Sequence, residues 1–135
     1  VRVFDAFLFN DELDMLQCRL EELDGKVDRH VLVEAPLDHQ GNPKPLHYAD
    51  NKKRFDPWLD RITHVVARVP GREEDPNPWS REFAMRQAVW AGLDEAEPED
   101  LVLVCDVDEI PSDRAVSMKP DGLVAMGMRL AMFAV

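Results

Sequence analysis

Apolar positions along this chain switch between two spacings, and the switches mark its elements. Val3-Phe4-Asp5-Ala6-Phe7-Leu8-Phe9 is a short, nearly continuous apolar run rich in aromatics, which predicts a buried strand. Asn10 and Asp11 follow, and both residue types cap helices. Leu13, Leu16, Leu20 and Leu23 then recur at helical spacing, and Gly25 closes the segment. Residues 30–35, His-Val-Leu-Val-Glu-Ala, predict a second strand. Strand, helix and strand with tight joints form a βαβ unit, which implies parallel strands and a right-handed crossover.

Beyond this unit the pattern loosens and then recovers. Residues 36–48 contain Gly41-Asn42-Pro43-Lys44-Pro45, which sustains neither a helix nor a central strand and predicts a loop. Residues 49–59 predict one or two short helices interrupted at Pro57. Residues 62–69 predict a third strand, and residues 70–78 a loop rich in proline and acid. A long helix is expected from Ser80 to about Glu95. Leu101-Val102-Leu103-Val104-Cys105 is the most hydrophobic strand and reads as central and covered on both faces. Pro111-Ser112 begins a short helix, and residues 126–135 predict a further strand. Alternating strands and helices give an α/β fold with a mainly parallel sheet flanked by helices. Ligands in such sheets sit outside the carboxyl ends of the strands, which directs attention to Asn10, Glu34 and the residues after Cys105.

Composition narrows the function classes. The 135 residues suffice for one domain, and 45% hydrophobic with 32% charged residues fits a folded chain. The closing run Met132-Phe133-Ala134-Val135 has no polar tail and reads as a cut through a strand, so the domain is expected to be truncated here. A formal charge of −11 repels phosphate backbones and argues against nucleic-acid binding. A nucleotide ligand stays possible, because a local cation offsets the field. Cys18 and Cys105 show no metal-ligand spacing and read as reduced, buried thiols, as in a reducing compartment. No apolar run approaches the ~20 residues a membrane span needs, and no signal-peptide pattern precedes Val1.

The chemistry gathers after the hydrophobic strand. Asp106-Val107-Asp108-Glu109 places three carboxylates in four residues. At the end of a buried strand that is costly unless cations or donors compensate. Asp106 and Asp108 share one side of an extended backbone, and two hard oxygen ligands suit Mg²⁺ or Mn²⁺ bridging to substrate phosphates. The alternative is a solvated acidic turn capping the helix near Ser112. Arg86 falls among Phe83, Val89, Trp90 and Leu93, and either pairs with Glu82 or reaches a ligand phosphate, ribose or base. Arg81 and Lys44 are phosphate partners or surface charges. Glu34 either accepts from a ribose or base, or is a solvated strand end. His30, His39, His47 and His64 show no ligand spacing, and no catalytic histidine is expected. Trp58, Trp79 and Trp90 read as packing residues, with Trp79 also placed to touch an acceptor.

In combination these motifs resemble glycosyltransferase family 17. They run from Phe4 to Asp14, then Arg19-Leu20-Glu21-Glu22-Leu23, Val31-Leu32-Val33-Glu34 and Gly41 to Leu46. Trp79-Ser80-Arg81-Glu82 with Arg86, and Asp106-Val107-Asp108-Glu109-Ile110-Pro111, complete the set. The resemblance covers nearly the whole chain. It implies a GT-A-like, Rossmann-like fold and inverting transfer of N-acetylglucosamine from UDP-GlcNAc to a glycan or other hydroxyl acceptor. It makes Asp108 the direct ligand of Mn²⁺ or Mg²⁺ and lets Asp106 hold ribose or metal-bound water. Asn10, Glu34, Lys44, Arg81 and Arg86 join Asp106 as expected donor-binding residues. The family's catalytic domain continues past Val135, so the base and much of the acceptor site are expected there. With no anchor segment visible, the chain resembles cytoplasmic bacterial or viral members more than Golgi ones. Two other functions remain: a haloacid-dehalogenase-type phosphatase with Asp106 as nucleophile, which also places D-x-D after an apolar strand, and a non-catalytic acidic binding module, which predicts no response to metal.

Overall fold

A computed structural model describes residues 1–122. The strand expected at 126–135 lies outside the described residues. Strand β1 (Val3–Leu8) leads through helix α1 (Leu13–Glu22) to β2 (Arg29–Glu34). A short helix α2 (His47–Asp50) and a 3-10 segment (Lys52–Arg61) precede β3 (Ile62–Val66). Helix α3 (Pro78–Ala88) runs into a second 3-10 segment (Val89–Gly92), followed by β4 (Leu101–Asp106) and α4 (Asp113–Val116). The sheet is parallel throughout, in the order β3-β2-β1-β4. The α/β class and the parallel sheet flanked by helices are as the alternation of patterns implied.

Strand order matters more for the site than any single element. The chain steps outward from β1 to β2 to β3, then returns to the opposite side of β1 as β4. Leu8 sits level with both Val33 and Asp106, so three strands end together. A reversal of this kind leaves a crevice between the two strands where the direction changes, here β1 and β4.

Two apolar layers hold the sheet. Leu16 and Leu20 of α1 pack with Phe7, Phe9, Leu32, Tyr48, Phe55, Trp58 and Val107 on one face. On the other, Val89, Met85 and Ala88 cover Phe4, Ala6, Val31 and Val33. Adjacent β1 residues therefore serve opposite layers, as the two-residue period of a strand requires.

Several sequence expectations change. Among the described residues β4 is an edge strand, and Val104 is 53% exposed. Its apolar content follows from packing one face and half-covering the other, whereas β1 and β2 are the doubly covered strands. Asn10 and Asp11 do not cap α1. Glu12 takes the cap position, and its carboxylate accepts from the N–H groups of Asn10 and Asp11 at 3.1 and 3.2 Å. Helix α3 starts two residues early because Asn77 caps it, accepting from the Trp79 N–H at 3.1 Å, with Pro78 in the first turn. Its inner face carries Arg81, Met85, Ala88 and Val89, so Phe83, Trp79 and Trp90 are exposed rather than packed. Cys18 lies on the outer face of α1 and is exposed; Cys105 is buried, and burial pushes its thiol pKa up.

The end of the second 3-10 segment offers a sharp test of the second layer. A Cβ on Gly92 would fall well inside van der Waals contact with Val31 Cγ1, in the middle of β2. Gly92→Ala is expected to lower stability by about 1–3 kcal/mol through overpacking. Val31→Ala, which removes the obstructing methyls, should recover part of that loss in the double variant. Urea unfolding of the two single variants and the double variant measures this, and strict additivity would contradict the contact.

Candidate functional site

A cleft of about 560 Å³ opens at the carboxyl ends of β1, β2 and β4, with α3 as its wall. Phe9 and Asn10 line it from the end of β1, and Leu37 and Lys44 from the loop after β2. Glu82, Met85 and Arg86 come from α3, and Asp106 to Asp108 from the end of β4. The cleft thus occupies the crevice that the strand order creates.

Asp106 and Asp108 both reach it, because Val107 between them turns into the α1 layer. Arg86 lies between two acids. Its Nε and Nη2 donate to Glu82 Oε1 at 3.1 and 2.9 Å, and Nη2 also donates to Asp106 Oδ1 at 3.0 Å. The foreseen pairing of Arg86 with Glu82 is therefore present, and a second acid of the chain, Asp106, shares the same guanidinium. Burial pulls the guanidinium pKa down, but the two carboxylates outweigh it and raise the value. Among the described residues no hydrogen bond or ion pair engages the Asp108 carboxylate.

The acidic turn is held from beneath by a residue that the sequence motifs include but give no role. Arg19 of α1 is fully buried. Its Nε and Nη2 grip Asp5 of β1 at 3.0 and 2.6 Å, and its Cζ lies 4.6 Å from the Phe7 ring centre. Its Nη1 donates toward the carbonyls of Asp106, Val107 and Glu109 at 3.0, 3.0 and 2.9 Å. Glu109 folds back as well, accepting from the Asp106 N–H at 3.0 Å. Of the three clustered carboxylates, Asp106 is met by Arg86 and Glu109 by a backbone N–H, while Arg19 binds the carbonyls of the turn. His30 Nδ1 lies 2.9 Å from Asp5 Oδ2. Burial tends to raise the Asp5 pKa, but hydrogen bonds from His30 and Arg19 prevail and lower it.

The other expected site residues divide. Asn10 and Lys44 line the cleft, and Lys44 Nζ donates to the carbonyls of Ala35 and Pro45 at 3.0 and 2.9 Å. Arg81 is no surface charge. It is 3% exposed, and it donates to the carbonyls of His39, Pro70 and Asp75, tying α3 to the two loops at the rim. Gly41, at φ 84°, takes the left-handed conformation that glycine adopts without strain in the loop beside Arg81. Glu34 is not a solvated strand end and is not brought to the cleft. Its buried carboxylate accepts from the N–H groups of Tyr48 and Ala49 at 3.2 and 3.1 Å and meets His64 Nε2 at 2.7 Å.

Glu34 carries a pH prediction. Burial alone would raise its pKa, yet the bonds to His64, Tyr48 and Ala49 lower it below the ordinary 4.5. The folded state therefore binds this proton less readily than the unfolded state. Its stabilisation is fully present above about pH 4.5 and fades as pH falls through the lowered value. Glu34→Gln should melt below the parent chain at neutral pH, and the two melting temperatures should converge on acidification. Parallel curves from pH 7 to pH 3 would contradict this.

With the cleft placed, comparison with known proteins gives it a context. The chain matches the family description Glycosyltransferase family 17 over residues 1–130. It belongs to glycosyltransferase family 17. This family 17 chain is similar to the β-1,4-mannosyl-glycoprotein 4-β-N-acetylglucosaminyltransferases of Rattus norvegicus and Homo sapiens, each 30% identical over 120 residues. The Mus musculus protein of the same name is 29% identical over the same length. Each alignment covers 82% of the chain but 22% of the relative, so the chain spans about a fifth of their length. No solved structure matches it significantly. Family membership places the chain among glycosyltransferases and not among haloacid-dehalogenase-type phosphatases. No helix among the described residues is long and apolar enough to cross a membrane.

Proposed function

We propose that this family 17 chain forms the donor-binding part of a GT-A-like, metal-dependent glycosyltransferase. The donor is a UDP-sugar, with N-acetylglucosamine the sugar suggested by the names of the relatives. The acceptor is a glycan hydroxyl, and transfer inverts the anomeric centre. The observation that carries the proposal is a cleft at the β1–β4 crevice, lined by Asp106 and Asp108.

The charge balance of the cleft supports a metal. Its lining holds Glu12, Asp38, Glu82, Asp106 and Asp108 against Lys44, Arg81 and Arg86, with Arg81 already bonded to carbonyls. Such a surface repels a diphosphate unless a divalent cation bridges the two. Among the described residues no group of three or more His, Cys, Asp or Glu gathers as a metal-binding set. Mg²⁺ or Mn²⁺ beside a nucleotide needs only one or two carboxylates, with phosphate and water completing the shell. Asp108 would ligate directly. Asp106, with Oδ1 bonded to Arg86, would contribute through Oδ2 to water or ribose. The bound ion would supply Lewis-acid neutralisation of the departing diphosphate. Around it, Arg86 fixes Asp106, Lys44 and Asn10 contact the donor, and Phe9 and Met85 exclude water from the cleft floor.

Calorimetric titration of the full chain with UDP, in the presence of Mn²⁺ and again with excess chelator, tests the proposal. Binding should weaken at least tenfold without metal. Equal binding in both conditions removes the metal from the site, and no binding in either removes the donor.

A further inference from the structure

The guanidinium of Arg19 is unusual in what it joins. One edge is paired with Asp5 inside the sheet, and the other donates to three carbonyls of the Asp106–Glu109 turn. The side chain is completely buried, against the Phe7 ring, so it cannot touch a donor or an acceptor. Asp5 is locked in turn by His30, also buried. A hydrogen-bonded path therefore runs from the start of β2, through β1 and α1, to the backbone that carries Asp106 and Asp108. The carbonyls converging on Nη1 fix the curvature of that turn. Curvature sets the separation and direction of the two carboxylates, since both follow directly from the same backbone.

We infer that Arg19 is a positioning residue for the metal–diphosphate site: it acts through the backbone of the Asp106–Glu109 turn and holds the two carboxylates in ligating geometry. The inference rests on the donor proposal above. Groups that orient metal ligands without touching the metal are commonly worth about 10–100-fold in metal affinity. Arg19→Lys retains a charge for Asp5 but lacks the planar fork that serves both sides at once. It should therefore keep the fold and release the turn.

The test is the Mn²⁺ dependence of UDP binding by the full chain, measured calorimetrically at a temperature where each variant is folded. Arg19→Lys is expected to raise the Mn²⁺ concentration for half-maximal UDP binding by about tenfold or more. Gly92→Ala, which disturbs the opposite layer, should lose stability yet leave that concentration within about twofold of the parent, an additive expectation for distant sites. If Arg19→Lys does not fold, the double variant Asp5→Leu/Arg19→Met replaces it. That pair removes both buried charges, and it should fold but show the same loss of Mn²⁺ response. An unchanged Mn²⁺ response in a folded Arg19 variant overturns the inference while leaving the donor proposal intact. An equal loss in Gly92→Ala also overturns it, because general destabilisation would then explain the effect. Absence of UDP binding by the parent chain overturns both.

Discussion

Asp5→Ala is expected to destabilise the chain by about 3–5 kcal/mol, the usual cost of removing one partner from a buried ion pair. The carboxylate has no solvent exposure and accepts from Arg19 Nε and Nη2 while contacting His30 Nδ1. Without it, Arg19 keeps its bonds to the acidic turn but holds an unmatched charge beside Phe7. His30 would lose its partner at Nδ1, and its Nε2 already has none among the described residues. A typical domain has only about 5–15 kcal/mol in total, so the variant should be marginal near body temperature. Denaturant unfolding at low temperature measures the loss from the shift of the midpoint at unchanged slope. A second substitution separates charge from shape: Arg19→Met in the Asp5→Ala background should be less destabilising than additivity allows. A loss below about 1 kcal/mol for Asp5→Ala would place the pair among weak, solvent-screened contacts and contradict its burial.

This cluster also marks where the sequence was informative and where it was misread. The layered α/β fold followed from two clear periodicities, and the D-x-D turn from its position after an apolar strand. A charged residue amid apolar helix positions draws attention to Arg86 in the sequence. The same test fits Arg19 better, since it lies between Leu16, Leu20 and Leu23 on the buried face of α1. Asp5 inside Phe4-Ala6-Phe7 is the matching signal, a lone charge in a central strand. Each looks tolerable alone, and only the parallel packing of α1 across β1 shows that they meet. The bonding of Arg81, itself named from the sequence, is hidden for a different reason. Its partners are backbone carbonyls, which every residue carries, so no side-chain pattern announces them. Helical spacing groups Phe83 and Trp90 with Arg86 as an apolar face, yet both are exposed, and Met85, Ala88 and Val89 make the contact. Strand order was not legible at all. Hydrophobic runs mark strands but not their neighbours, and the β1–β4 crevice depends on neighbours.

On the donor proposal, Asp108→Asn should abolish metal-dependent binding and leave the ligand-free fold unchanged. Its carboxylate is exposed, and no partner engages it among the described residues, so the substitution should alter stability by no more than about 0.5 kcal/mol. A ligand present at about 100 times its dissociation constant adds about 2.7 kcal/mol to stability. The parent chain with UDP and Mn²⁺ should show that gain as a rise in melting temperature. Asp108→Asn should show only the response the parent gives to UDP with chelator. Asp106→Asn provides the contrast. It weakens the bond to Arg86 as well as the ion site, so it should lower the ligand-free melting temperature while also reducing the metal response. Neutralising an exposed acid would otherwise be expected to help an anionic ligand into a cleft rich in carboxylates. A binding loss in Asp108→Asn therefore has the opposite sign to simple charge repulsion, and a direct ligand explains that sign. Retention of the full UDP and Mn²⁺ response by Asp108→Asn would exclude Asp108 as the ligand, and tighter UDP binding would show that the cleft meets its anion without a metal.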